Sequence, residues 1–265
     1  MQFIDFVAPV VRIAVFIAVI AAIEWGIPFR QTSYNLHRWG INLGLTLCTV
    51  IIFTIAFLPI GIASRFVTTN SWGLFQLVDL PPVVMLVLGV IVLDGATYFA
   101  HVLLHKTPIL WELHKVHHAD DMVDVSTTLR QHPLEAVVRV LFLGIVAIGF
   151  GIPLLVVAVY RLVSSLNALI EHANIWTPEP LDKWVSLLWV TPRMHKIHHS
   201  RDVRQTDSNY GNLLALFDRL LGTFTPIVEA DSVSYGLDNN RDNPRDNDVG
   251  DLANPFDPTG GLPPF

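Results

Sequence analysis

The chain carries 11 histidines, and eight of them fall in three tight clusters. His101 and His105 form H-x-x-x-H; His114, His117 and His118 form H-x-x-H-H; His195, His198 and His199 repeat H-x-x-H-H. On a helix, residues three and four apart share a face, so each cluster aims its imidazoles into one volume. Neutral imidazole is a ligand for Zn, Cu, Fe and Ni. With His172, which closes a long apolar stretch, nine rings are available. That exceeds the roughly four to six ligands of a single ion, so the count implies two metals. A lone histidine such as His37 is read instead as an ordinary core or interface residue.

Ligand imidazoles commonly donate their second N–H to a carboxylate or carbonyl. Asp94, Glu112, Glu135, Glu171 and Asp202 are the candidate partners. Asp94 lies seven residues before His101, two turns away on the same helix face. A carboxylate in an apolar span needs a partner; a support for the ligand imidazoles and a satisfied, protonated buried acid with no role in the chemistry are equally open. Glu171 adjoins His172 and could orient it or bridge the metals. A purely structural zinc pair would usually recruit cysteine, and the chain has only Cys48, set in an apolar run where a buried, inert thiol is the default. A zinc-dependent membrane hydrolase, a haem-bearing electron carrier and a metal transporter are the competing functions. The H-E-x-x-H signature that would favour the hydrolase is absent.

The elements that position these residues are set by composition. Hydrophobic residues make up 52% of the 265 and charged residues 15%, with mean hydropathy +0.48. This excludes a disordered chain, a disulfide scaffold and a nucleic-acid binder, and points to an integral membrane protein. Three stretches, 7–27, 41–63 and 82–100, are long enough to cross the bilayer. Arg12 and Glu24 near the ends of the first are expected to reach the interface. The first stretch lacks a basic leader, which argues against a cleaved signal peptide. The apolar stretch 137–170 is interrupted by Gly149-Phe150-Gly151-Ile152-Pro153. It is expected to form two short helices that enter the membrane and return to the same side, with one long tilted span as the alternative. Thirteen of the 17 Lys and Arg follow Ala100, which places the histidines in the cytoplasm. Trp111, Trp176, Trp184 and Trp189 are expected to form an interfacial belt. From residue 229 onward, eight acids and two bases carry the whole net charge of -6, and this segment reads as a loosely ordered tail.

HVLLH (101–105), HKVHH (114–118) and HKIHH (195–199), taken in order, resemble the histidine boxes of the fatty acid hydroxylase/sterol desaturase superfamily of membrane-bound non-haem di-iron enzymes. TTLRQHPLE (127–135), EHANI (171–175) and NYGNLLALFDRLLGTF (209–224) add to the likeness, which covers roughly residues 85–226. The resemblance implies an all-α fold, with polytopic membrane helices and a cytoplasmic helical cap carrying the di-metal site. It divides the chain into membrane helices (1–80), a catalytic domain (81–228) and the acidic tail (229–265). It implies an O2-dependent oxidoreductase with two Fe ions that hydroxylates or desaturates a lipid drawn from the bilayer. Sterol, fatty acyl, alkylglycerol and carotenoid substrates all stay open. No haem domain or dinucleotide fingerprint is present, so a separate electron-donor protein is expected. In this family a histidine outside the boxes usually completes the ligand set; His172 is the first candidate and His132, held by Pro133, the second.

Overall fold

Apolar side chains facing outward define this molecule: Leu47, Ile55, Ile62 and Val83 are each at least 60% exposed, as hydrocarbon rather than water would allow. The structure, a computed structural model, describes residues 3–32 and 35–237, with side chains from residue 11 onward except at 228 and 229. Regular structure among these residues is helical, with only isolated β-bridges. Helices α1 (Phe3–Gly26), α2 (Leu36–Thr69) and α3 (Pro82–Lys106) are followed by α4 (Pro108–His118). The apolar hairpin is α5 (Pro133–Phe150) and α6 (Leu154–His172). Short helices α7 (Glu179–Val185), α8 (Pro192–His198), α9 (Val203–Thr206) and α10 (Leu216–Leu221) complete the cap. Four helical segments, those of α2, α3, α5 and α6, are long and apolar enough to cross a membrane, and the chain is a multi-pass membrane protein.

The second helix is longer than the span expected at 41–63. Its 34 residues reach ~51 Å, well beyond the ~30 Å hydrocarbon core. The surplus roots it in the cap. Asn35 caps its first turn, accepting from the backbone N–H of His37 and Arg38. Arg38 pairs with Asp120 at 2.6 Å and with Asp124, and Asn42 donates to Ser126 Oγ at 3.0 Å. Cys48 is exposed on the outer face of α2, not buried as its apolar neighbours suggested. Glu24 also departs from expectation. It is buried and accepts the backbone N–H groups of Val125 and Asn174, both at 2.7 Å, which ties α1 to the cap.

The hairpin turns at Gly151, which holds φ +68, a left-handed conformation open to glycine. A Cβ there would sit 2.3 Å from the carbonyl oxygen of Trp72. Gln76 donates to the Gly151 carbonyl at 2.8 Å, and Ser64 to that of Ile152 at 3.3 Å. The tip therefore meets the α2–α3 connection, at the end of the bundle away from the histidines. The two arms, of 18 and 19 residues, run ~27–29 Å, so they are not the short helices expected. Leu93, Leu143, Ile152, Val156, Val157 and Tyr160 form the core between α3 and the hairpin, with Phe57 of α2 packed against it.

The loose tail expected from residue 229 is replaced, as far as residue 237, by packed chain. A 3-10 turn covers Ile227–Ser232. Ala230, Val233 and Tyr235 pack with Ile197 and Val123. Arg30 donates to the carbonyls of Val233, Ala230 and Asp231 at 2.5–3.0 Å. Charge dominates the composition of this segment, while its few apolar residues do the packing. Most of its acids, from Asp238 to Asp257, lie outside the described residues.

Candidate metal centre

Each box sits on a locally specified helical segment. Helix α3 continues six residues past Ala100, so His101 and His105 occupy its last two turns. Pro108 starts α4, where a missing N–H costs nothing, and His114, His117 and His118 fill its end. Thr191 caps α8, its Oγ1 accepting from Met194 N at 3.3 Å, and Pro192 opens the helix. His172 is the last residue of α6. All nine rings are buried.

They form two groups. Nitrogens of His101, His105, His114, His118 and His198 lie within 4.8 Å of one another, as do those of His117, His172, His195 and His199. The H-x-x-H-H spacing accounts for the division. In the second box the i, i+4 pair His114/His118 joins the first group and His117 crosses to the second. In the third, His195/His199 join the second group and His198 crosses to the first. One box thus feeds two centres, and the two boxes do so reciprocally.

Hydrogen bonds on the outer side of the rings decide which nitrogen faces inward. Nδ1–H of His101 donates to the Tyr210 carbonyl (2.9 Å), His117 to Arg130 (3.0 Å), His172 to Ala168 (2.7 Å) and His198 to Ser208 (2.8 Å). A carbonyl can only accept, so Nδ1 carries the proton and the Nε2 lone pair points into the site. His101 Nε2 then lies 3.1 Å from His114 Nε2, and His172 Nε2 lies 3.0 Å from both His117 Nε2 and His195 Nε2. Two nitrogens ~2.1 Å from one ion and at right angles would be ~3.0 Å apart. His105 Nε2, His198 Nε2 and both nitrogens of His118 and His199 are buried with no hydrogen-bond partner. Such an array is costly to leave unmet, and a metal ion in each group would satisfy it. Burial, reinforced by neighbouring histidines, holds His117, His118, His195 and His199 well below the usual imidazole range. Burial pushes His198 down to about 3 and lowers His114 against the opposing pull of Glu135. These rings are neutral, the form that binds metal.

The carboxylates expected around the ligands divide by location. Glu135 Oε1 lies 3.1 Å from His114 Nδ1 and 2.7 Å from Arg139 Nε. Glu171 Oε1 lies 3.9 Å from His195 Nε2 and 4.0 Å from His172 Nδ1, with Oε2 accepting from Asn167 at 3.1 Å. Asp94 touches no imidazole. It accepts the backbone N–H of Leu213 (3.2 Å) and Leu214 (2.9 Å) and the Tyr160 hydroxyl (3.3 Å). Its reach is indirect, through the loop whose Tyr210 carbonyl holds His101. Glu112 pairs with Lys115, and Asp202 caps α9 beside Arg204. His132 caps α5, its Nδ1 accepting from Leu134 N at 3.2 Å, and belongs to neither histidine group. Trp111 is buried with its ring 5.1 Å from that of His105, while Trp176, Trp184 and Trp189 are exposed as a belt would require. Asp207, 3.3 Å from His105 Nδ1 and 2.6 Å from Lys106 Nζ, was not anticipated. Nothing in its local sequence distinguishes it from a solvated loop acid.

A cavity of ≈ 250 Å³ adjoins the second group, bordered by His117, His172, His195 and Glu171 and by Ile13 and Ile17 of α1. The helical bundle brings two buried histidine groups, each of which could hold a metal ion, together in a membrane protein, with the cavity beside them. Residues 86–223 match the fatty acid hydroxylase family, and the chain belongs to it. The chain is 27% identical over 238 residues to an ornithine lipid hydroxylase, OlsE, of Rhizobium tropici, covering 83% of this chain and 68% of that protein. An alkylglycerol monooxygenase of Xenopus tropicalis is 32% identical over 205 residues, covering 74% and 43% respectively. A Δ7-sterol 5(6)-desaturase of Gibberella zeae is 28% identical over 132 residues, covering 49% and 35%. No solved structure matches the chain.

Proposed function

We propose that the chain is an O2-dependent, non-haem di-iron enzyme that hydroxylates a membrane lipid. The observation that carries this reading is the pair of buried, neutral histidine groups whose donor atoms face one another beside a cavity walled by apolar side chains. His101, His105, His114, His118 and His198 would hold one iron, and His117, His172, His195 and His199 the other. Two irons held there would supply the binding and activation of O2 that an unactivated C–H bond demands, with electrons from a separate donor protein.

The remaining work belongs to the chain. Carbonyls behind His101, His117, His172 and His198 fix ring orientation before metal binds. Asp94 is a positioning residue acting through the Tyr210–Leu214 loop. Glu171, at the edge of both the cavity and the second group, is placed to hold or pass a proton at its Oε1. The α5–α6 hairpin brings His172 to the boxes, and the lipid-facing α1 wall excludes water and admits a chain from the bilayer. The bias of Lys and Arg supports a cytoplasmic orientation for this end of the bundle, where a separate reductase protein would reach it. Two of the three relatives named above are a hydroxylase and a monooxygenase, which favours oxygen insertion over desaturation. A zinc hydrolase leaves the five-histidine group unexplained, since catalytic zinc takes three protein ligands. A haem carrier or a transporter leaves unexplained why every histidine of the boxes lies at one end of the bundle.

The test is isotopic. Membranes containing the chain are given a reducing system and heavy-isotope O2, and extracted lipids are compared by mass spectrometry with membranes carrying His198→Ala. A lipid that gains one heavy oxygen with the wild type alone supports the proposal. Equal lipid profiles, with iron bound, refute it.

A further inference from the structure

The cavity has a second end that the metal reading does not use. Arg139 and Arg161 are the only Lys or Arg residues in the hairpin, and both line the cavity. Their circumstances differ. Arg139 is balanced by Glu135 at 2.7 Å. Arg161 has no carboxylate within ion-pair distance and no hydrogen bond among the described residues; its guanidinium lies over the Phe53 ring at 4.9 Å. A guanidinium with five donors, held at membrane depth and turned to a cavity, calls for an anion.

The helix that carries it leads to the metal site. Arg161, Ser164 or Ser165, Ala168 and His172 recur at helical spacing along α6, and all line the cavity. Ser164, Ser165 and Ala168, the α6 residues of this row between its ends, are small. Eleven residues place the Arg161 backbone ~16 Å from that of His172 along the axis. Asn212, also in the lining, donates to Ser164 Oγ at 2.8 Å, and Ile13 and Ile17 add apolar surface. The cavity lining thus includes a guanidinium without an anionic partner, histidines of the second group, and apolar side chains of α1.

We propose that Arg161 is the headgroup-recognition residue of this cavity, and that the substrate is a lipid bearing an acidic group, a carboxylate or a phosphate, seated on its guanidinium. Planar bidentate pairing with either oxyanion is the contact for which Arg is suited. The proposal rests on the lipid-oxidase reading for its reacting end, but its binding step is separable from catalysis.

The test uses the iron-loaded, detergent-purified full chain and radiolabelled ligand pairs matched in chain length. Oleate is compared with oleyl alcohol, and lysophosphatidate with monoacylglycerol. Wild-type protein is expected to favour at least one acidic member by roughly tenfold or more. Arg161→Gln should abolish that preference while retaining wild-type iron content, and Arg161→Lys should keep part of it. A preference in the first pair assigns a carboxylate, and in the second a phosphate. Equal binding within both pairs, or a preference that survives in Arg161→Gln, overturns the proposal. Should Arg161→Gln fail to fold, the wild-type preference and the Arg161→Lys variant still decide it. Failure of the oxidase reading would show differently, as absent lipid oxidation with the acid preference intact.

Discussion

Glu135 offers the sharpest perturbation of the metal centre that leaves every proposed ligand in place. Its side chain is fully buried between His114 Nδ1 at 3.1 Å and Arg139 Nε at 2.7 Å. Glu135→Gln keeps the shape and removes the charge. The His114 ring then loses the carboxylate that orients it and strengthens its donor nitrogen. Losses at such partners typically run to about 10–100-fold in metal affinity, or ~1.4–2.8 kcal/mol. Arg139 also loses its anion, but its side chain is 23% exposed, so the penalty falls below the ~3–5 kcal/mol of breaking a fully buried pair. Asp207→Asn is the internal comparison. Asp207 sits farther from its imidazole, at 3.3 Å, and shares its charge with the half-exposed Lys106. Its removal should cost less than ~1 kcal/mol. The assay is iron retention during chelator titration of purified protein in nanodiscs, with circular dichroism confirming the fold. The reasoning fails if Glu135→Gln holds iron as tightly as wild type, or if Asp207→Asn loses more than Glu135→Gln.

Three further outcomes are expected. Ending the chain at Val228 removes Ala230, Val233 and Tyr235 from Ile197, and burial of one valine alone is worth ~1.5–3 kcal/mol; thermal melting and iron analysis should show a less stable protein that retains iron poorly, and an unchanged midpoint would contradict the packing. His172→Ala should strip metal from the second group, whereas His132→Ala should lower stability by about 1 kcal/mol through loss of the α5 cap and leave bound iron at wild-type levels; equal iron loss in both would reassign His132. Single cysteines at the exposed Asp121 and Arg204, in a Cys48→Ser background, should both react with an impermeant reagent only from the cytoplasmic side; labelling of either one in intact cells would overturn the orientation.

Much of this site is visible in the residues because its geometry is helical. Spacings of three and four place His114/His118 and His195/His199 in register whatever surrounds them. Gly151 and Pro153 mark the hairpin because few other residues could turn there. What stays hidden is contact across distant chain. Arg38 looks like a loop charge that sets topology, yet it roots α2 between Asp120 and Asp124. Glu24 looks like an interfacial acid, yet it caps two backbone N–H groups from Val125 and Asn174. Asp94 has the helix spacing to meet His101, but backbone N–H groups of Leu213 and Leu214 reach it instead. The carbonyls that orient four of the rings have no identity in a sequence, since every residue carries one. The start of the acidic segment is hidden for a related reason: its charge masks Ala230, Val233 and Tyr235, which pack with Ile197 and Val123.

The central claim is two irons in two histidine groups, and metal analysis tests it most directly. Protein purified from iron-57-enriched cells would be assayed for iron and zinc per chain and examined by Mössbauer spectroscopy. The account predicts two irons per chain, bound by nitrogen-rich ligand sets, with both groups filled. A single metal per chain, or zinc in both groups that iron does not replace on reconstitution, would contradict it.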